Sequence, residues 1–124
     1  MRLPESSNVY STVFPPVDLQ LLKRLLREEF PNAKVWTRVS GYNGATTLHA
    51  ESEAVEFEGC PAADDTNPTY LLSGGLAGSD AEVVTKVTSV FRRFENAGVQ
   101  MAIEAYDSKG ELICSFPRKT AVPK

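Results

Sequence analysis

Apolar residues recur at helical spacing in two segments of the chain, and each segment predicts an amphipathic helix. In residues 19–29, leucines form one face and charged residues the other, with Asp18 as the predicted N-cap. The second stripe follows a Ser79-x-x-Glu82 sequence, which is typical of a capping box, and is predicted to end near Gly98. The residues predicted to face a sheet are Leu22, Leu26, Val87, Phe91 and Phe94.

Segments rich in β-branched and aromatic residues predict strands on both sides of each helix. The predicted strands are residues 9–14, 34–39, 46–51, 69–72, 100–106 and 111–116, and residues 55–58 extend the sheet. The glycine-rich segment 73–78 is predicted to be a flexible connection between a strand and the second helix. Residues 60–68 contain Pro, Asp and Asn and are predicted to form a loop.

The predicted elements occur in the same order in the two halves of the chain. In addition, the sequence Phe30-Pro31-Asn32-Ala33-Lys34-Val35 is echoed by Phe94-Glu95-Asn96-Ala97-Gly98-Val99. We therefore expect a single domain over residues 1–124, with pseudo-repeat halves at about 9–58 and 69–116 and a flexible tail at 117–124. The expected fold is α+β: a two-layer sandwich in which duplicated strand-helix-strand-strand units form one mainly antiparallel sheet with two helices on one face.

Charge is segregated along the chain, although the formal net charge is only −3. Between Arg38 and Lys86 there is no Lys or Arg, yet this interval holds half of the 16 acidic residues. Its carboxylates belong to Glu51, Glu53, Glu56, Glu58, Asp64, Asp65, Asp80 and Glu82. Segregation of this kind bears on the choice of binding partners more than on the fold.

The composition favours a cytoplasmic globular protein. A hydrophobic content of 42% with 23% charged residues is ordinary for such proteins, and no apolar run is long enough to cross a membrane. The N-terminal residues lack the apolar core of a secretion signal. Cys60 and Cys114 lie far apart in sequence, form no metal-binding motif, and are expected to be free thiols.

No catalytic, metal-binding or cofactor-binding residue is predicted. His49, the sole histidine, shares a predicted strand face with Thr47 and Glu51, but a lone histidine on a strand is more often structural than catalytic. The segment 73–79 lacks the residues of a phosphate-binding loop, and the acidic interval lacks the spacing of a calcium loop. The acidic chain also has no basic and aromatic strand typical of nucleic-acid binding.

Two main functional hypotheses follow, with an enzyme as a third and a purely solubilising acidic surface as a further alternative. The first is a small non-catalytic protein that binds a basic protein partner, such as a bacterial immunity-type inhibitor of a nuclease toxin. Its predicted partner-binding residues are Glu51, Glu53, Glu56, Glu58, Asp64 and Asp65. The alternative is a small-molecule-binding module with a cleft between the repeats, lined by Trp36, Tyr42 and Tyr106. Exposed edge strands also allow a homodimer.

Overall fold

A computed structural model of the protein describes residues 7–39, 46–61 and 69–117. These residues form seven strands and two helices. In chain order they are β1 (Ser7–Val13), α1 (Leu19–Glu29), β2 (Lys34–Val39), β3 (Thr46–Glu51), β4 (Val55–Pro61), β5 (Tyr70–Leu76), α2 (Asp80–Asn96), β6 (Met101–Tyr106) and β7 (Leu112–Phe116). The fold is therefore α+β, as the sequence predicts. The connection between the predicted strands 34–39 and 46–51, where Gly41-Tyr42-Asn43-Gly44 predicts a hairpin turn, lies outside the described residues, as does the tail beyond residue 117.

The seven strands form a single sheet in the order β2-β3-β4-β5-β1-β6-β7, and every neighbouring pair is antiparallel. The first strand of the chain lies inside the sheet, between β5 and β6. The two strand-helix-strand connections differ in span, since β2 lies four positions from β1 whereas β6 lies two positions from β5. The antiparallel sheet matches the expected architecture. The distance across the sheet between the strand before each helix and the strand after it is not the same in the two halves of the chain.

Both helices pack on the same face of this sheet. Side chains alternate along each strand, so one set of positions meets the helices and the other points away from them. Arg93 on α2 joins the helices, because its Nε donates to Glu29 Oε1 at 2.7 Å and its Nη1 donates to Glu28 Oε1 at 3.4 Å. The largest fully buried side chains between helices and sheet are those of Phe94, Leu22, Leu25, Leu26, Leu48, Leu76 and Ile103. We call this side of the sheet the helix face.

The helix ends follow the predicted capping chemistry. Asp18 Oδ1 accepts a hydrogen bond from the backbone N–H of Leu21 at 2.7 Å, which satisfies one free donor of the first turn of α1. At the start of α2, the Glu82 N–H donates to Ser79 Oγ and the Ser79 N–H donates to Glu82 Oε1, at 3.2 and 2.9 Å. This reciprocal pair is the predicted capping box. After α2, Gly98 adopts a φ of +79°, as the predicted C-terminal signal requires.

Two predicted connections are instead parts of strands. The glycine-rich segment was predicted to be flexible, but β5 continues through Gly74 and Gly75 to Leu76, and it pairs with β4 and β1 on its two sides. A Cβ on Gly74 would collide with the carbonyl oxygen of Glu56 on the neighbouring strand, so a close approach of two backbones requires glycine here. Cys60, predicted to begin a loop, likewise lies within β4.

The predicted sheet-facing residues differ in depth. Leu22, Leu26, Val87 and Phe94 are buried, and Phe94 has no exposed surface. Phe91 is only half-buried; it lies at the border of the core and stacks on Phe116 of β7, with ring centroids 5.4 Å apart. Of the two helices that the structure describes, neither is long and apolar enough to cross a membrane.

Candidate functional site

The face of the sheet opposite the helices carries five of the nine predicted site residues: Trp36, Glu51, Glu56, Glu58 and Tyr106. Because α1 and α2 both pack on the helix face, none of the elements in the described ranges covers this second face, which we call the open face. The strand register aligns its side chains in rows that run across the sheet. One row contains a residue from each strand in sheet order: Trp36, His49, Glu58, Ser73, Tyr10, Glu104 and Ser115.

Three residues of the predicted acidic set lie on the open face. Glu51 and Glu56 are cross-strand partners on β3 and β4, and Glu58 lies two residues beyond Glu56 on the same side of β4. Glu53 is exposed in the turn between these strands. Asp64 and Asp65 fall outside the described residues. The structure thus brings together three carboxylates that the sequence places in one Lys/Arg-free interval.

Cations occupy only one margin of this face in the part of the chain that the structure describes. Lys34 and Arg38 lie on β2, the edge strand, where they are cross-strand partners of Glu51 and Thr47. The open-face positions of β3 to β7 hold no Lys or Arg among the described residues. Glu104 on β6 adds a carboxylate that the sequence analysis did not select. Away from β2, the charged side chains of the open face among the described residues are therefore carboxylates.

Two of the three aromatic residues of the alternative hypothesis, Trp36 and Tyr106, lie on the open face but far apart. Trp36 lies on the edge strand β2 and Tyr106 on β6, five strand positions away. At about 4.8 Å between neighbouring strands, their backbones are about 24 Å apart. Tyr42 falls outside the described residues. Tyr106 instead contacts Tyr10 edge to face, with ring centroids 6.0 Å apart.

His49 lies beside an aromatic side chain of the edge strand β2. Its ring stacks on that of Trp36 at a centroid distance of 5.1 Å, and Lys34 Nζ lies 5.3 Å from the centre of the Trp36 ring. Thr47 Oγ1 is 2.9 Å from His49 Nε2 and also donates to the Arg38 carbonyl at 3.3 Å. A depression of about 470 Å³ lies beside the imidazole and is lined by His49, Glu51, Glu56, Phe57, Glu58, Ser73 and Gly74.

A larger groove of about 670 Å³ lies over the centre of the open face. Its open-face lining comes from two adjacent cross-strand rows. The first contains Glu58, Ser73, Tyr10 and Glu104, and the second contains Cys60, Leu71, Thr12 and Ala102. The side chains of Tyr10 and Leu71 are apolar in most of their surface and remain 52% and 44% exposed. Solvent-exposed apolar groups bounded by carboxylates are typical of a surface for a protein partner.

Glu104 and Tyr106 are neighbours on the open face, two residues apart on β6. The Tyr106 ring also contacts that of Tyr10. The pKa of Tyr106 is raised above its ordinary value of 10.0, first by desolvation and then by the negative charge of Glu104. The phenol therefore stays protonated at neutral pH.

Both cysteines are free, and they point to opposite faces. Cys60 is exposed on the open face at the groove, whereas Cys114 is half-buried on the helix face of β7. Burial raises the pKa of the Cys114 thiol. In the described parts of the chain, no group of three or more His, Cys, Asp or Glu side chains is arranged to hold a metal ion.

The groove residues illustrate what the sequence analysis missed. Tyr10, Leu71, Ala102 and Glu104 come from three segments distant in sequence, and only the strand order brings them together. Alternation of polar and apolar residues along β6 gives the outward position of Glu104, but not its neighbours.

No protein-family model and no curated protein matches this chain.

Proposed function

We propose that this is a small non-catalytic protein that binds a basic protein partner through the open face, as an inhibitor of the bacterial immunity type does. One observation carries the proposal. The carboxylates of Glu51, Glu56, Glu58 and Glu104 all lie on the open face, and the cations of that face in the described ranges are confined to the edge strand β2.

Such an arrangement favours association with a basic surface. Carboxylates fixed on neighbouring strands of one sheet sum to a negative potential that attracts a cationic partner and orients it before contact. Their interactions with separated charges are screened beyond about 8 Å at physiological ionic strength, so salt weakens the attraction. Binding of this kind therefore combines fast association with strong salt dependence.

The groove provides exposed apolar side chains, which charge alone cannot replace in slowing dissociation. Rim charges mainly change association rates, whereas slow dissociation depends on apolar side chains that become desolvated at the centre of an interface. Tyr10 and Leu71 lie at the centre of the open face, and both are exposed. A binding surface with an apolar centre and a charged surround suits a protein that blocks the active site of its partner.

We also propose a cytoplasmic location. Support comes from the two free thiols, since exposed cysteines such as Cys60 persist in reducing compartments and tend to pair or oxidise elsewhere. Cell fractionation with an antibody against the protein tests this, and recovery from the culture medium or periplasm would contradict it.

A further proposal concerns the similarity between residues 30–35 and 94–99. We infer that the strand-helix units β1–α1 and β5–α2 arose by duplication, with β4 as an addition to the first half. In support, β1 and β5 are antiparallel neighbours, and their helices contact each other through Arg93 and Glu29. An experimental structure tests this by superposition. Helices that cross their preceding strands at different angles in the two units would contradict the duplication.

The binding proposal is tested with a pair of charge-matched variants. The test variant carries Glu56→Gln and Glu58→Gln on the open face, and the control carries Asp80→Asn and Glu95→Gln on α2. Both variants lose two negative charges at exposed or half-exposed positions. Immobilised wild-type protein and both variants are used to capture proteins from the native host, and the partner that is identified is then purified for kinetic measurement.

We expect the wild type and the α2 control to retain one basic protein that the open-face variant retains poorly. With the purified partner, the open-face variant should associate more slowly at low salt, and the difference should shrink as salt is raised. Equal association rates for both variants would contradict a role for the open face. Capture of an acidic protein in place of a basic one would contradict the stated partner chemistry.

A further inference from the structure

The groove has a regular arrangement of charged and apolar side chains. Glu58 on β4 and Glu104 on β6 belong to one cross-strand row, with Ser73 and Tyr10 between them. Leu71 belongs to the adjacent row, two residues along β5 from Ser73. The groove therefore presents a carboxylate, an apolar centre and a second carboxylate in sequence across the sheet.

The spacing of these groups matches an extended chain. Glu58 and Glu104 are three strand positions apart, which corresponds to about 14 Å. In an extended segment, side chains at i, i+2 and i+4 point to the same side, and residues i and i+4 are about 14 Å apart. Three alternate side chains of such a segment can therefore meet Glu58, the apolar centre and Glu104 together.

A helix fits this spacing poorly. At a rise of about 1.5 Å per residue, a separation of about 14 Å corresponds to roughly nine helical residues. Nine residues are two and a half turns at about 3.6 residues per turn, so the two basic side chains would point to opposite sides of the helix. An extended partner segment satisfies both carboxylates at once, and a helical one does not.

We propose that the groove binds an extended segment of the basic partner with the pattern basic-x-apolar-x-basic. The apolar side chain packs between Tyr10 and Leu71, and the two basic side chains meet the carboxylates of Glu58 and Glu104. This inference rests on the proposed function and narrows it, because it assigns the partner a sequence pattern and a conformation.

The test uses short synthetic peptides and the whole protein. The probe contains Lys-Ser-Phe-Ser-Lys between capped glycines, and the matched control replaces Phe with Ser at the same charge. A third peptide keeps Phe but replaces both lysines with serine. Each is titrated into isotope-labelled protein, and backbone amide chemical shifts report both the affinity and the position of binding.

We expect the probe to shift the amides around Tyr10, Leu71 and Ala102 and to bind about tenfold more tightly than the Ser-centred peptide, because it buries an aromatic side chain. Leu71→Ser should weaken the probe about tenfold. The matched control Leu112→Ser changes a residue of the same face that is 53% exposed and lies outside the groove, and it should leave the affinity unchanged. Glu104→Gln should weaken it about threefold at low salt.

Failure of this inference and failure of the proposed function give different results. If the probe and the Ser-centred peptide bind with equal affinity, or if Leu71→Ser is silent, the groove pattern is wrong, even where the open face still captures a basic partner from the host. If the lysine-free peptide binds as tightly as the probe, Glu58 and Glu104 have no role in the groove and the proposed pattern is wrong. The proposed function fails only if the variant with Glu56→Gln and Glu58→Gln binds the basic partner as the wild type does. Shifts confined to α1 and α2 would also overturn the groove assignment.

Discussion

The rings of Trp36 and His49 stack across the β2–β3 pair, with their planes 14° apart and their centroids 5.1 Å apart. Trp36 is the sole tryptophan of the chain, so its fluorescence reports this contact directly. We expect His49→Ala to shift the Trp36 emission to longer wavelength, because the uncovered indole meets water, and to lower the free energy of unfolding by about 1 kcal/mol. His49→Phe, which preserves a flat ring, should retain both values. Unchanged emission in His49→Ala would contradict the stack.

Two phenylalanines of α2 should differ in their contribution to stability. Phe94 is fully buried, and Phe94→Ala should lower the free energy of unfolding by roughly 3 to 5 kcal/mol, since it leaves a cavity in the core. Phe91→Ala removes a half-buried ring that stacks on Phe116, and about 2 kcal/mol is expected. Urea denaturation measures both. A larger loss for Phe91→Ala than for Phe94→Ala would show that the border of the core is misplaced.

Gly74 should not tolerate a side chain. In Gly74→Ala the new Cβ meets the Glu56 carbonyl, so the β4–β5 pair must separate, and we expect a loss of about 3 kcal/mol in unfolding free energy. The control is Gly110→Ala in the β6–β7 turn, where φ is +85° and no atom lies near the added Cβ. Only backbone strain acts there, and the expected cost is about 1 kcal/mol. Equal costs at the two positions would argue against the close strand approach.

The capping box of α2 should make the free energy of unfolding depend on pH in the acidic range. Hydrogen bonds from the Ser79 backbone N–H and hydroxyl hold the pKa of Glu82 below its ordinary value of 4.5. Because the folded pKa is depressed, the stabilisation is present above pH 4.5 and is lost as the pH falls through the folded pKa.

Thermal unfolding of Glu82→Gln across this pH range tests the prediction. The variant should melt below the wild type at neutral pH, and the difference should narrow as the pH falls through the folded pKa of Glu82. The control is Glu95→Gln, an exposed change near the other end of α2. If the difference in melting temperature between Glu82→Gln and the wild type grows on acidification, the fold raises the pKa of Glu82 and our assignment is wrong.

The two thiols should react at different rates. Cys60 is exposed at the groove, whereas Cys114 is half-buried with a raised pKa, so less of it is thiolate at neutral pH. Iodoacetamide should therefore modify one equivalent of thiol rapidly in the native protein and the second only slowly. Cys60→Ser should remove the fast phase, as followed by mass spectrometry. Two equal rates, or a fast phase that survives in Cys60→Ser, would contradict the placement of these residues.

Local patterns in the sequence predicted most of the elements. The bounds of α1, β2 and β3 follow from the leucine stripe, the Asp18 cap and the alternation around Trp36, because each of these signals acts within a few residues. The continuation of β5 through Gly74 was missed. There the decisive interaction is with Glu56 on another strand, and glycine by itself resembles a turn signal.

The candidate site was predictable only in part. The three glutamates of β3 and β4 belong to one uninterrupted acidic interval, so their proximity follows from the sequence. Glu104 and Tyr10 join them because β1 lies between β5 and β6, an order that no periodicity specifies. Contacts between segments so distant in the chain depend on tertiary packing, and only the structure reveals the groove.

The position of β1 has a consequence for how a cell can make this protein. Of the described strands, β1 is synthesised before its neighbours β5 and β6, and β6 ends at Tyr106. Until β5 emerges, both backbone edges of β1 lack their native partners, and one edge stays unpaired until β6 emerges, so β1 can pair with other chains. The nascent chain therefore depends on late, non-local pairing. A product terminated before β6 would keep an unpaired edge at β1 and would be a natural target for chaperones and proteases.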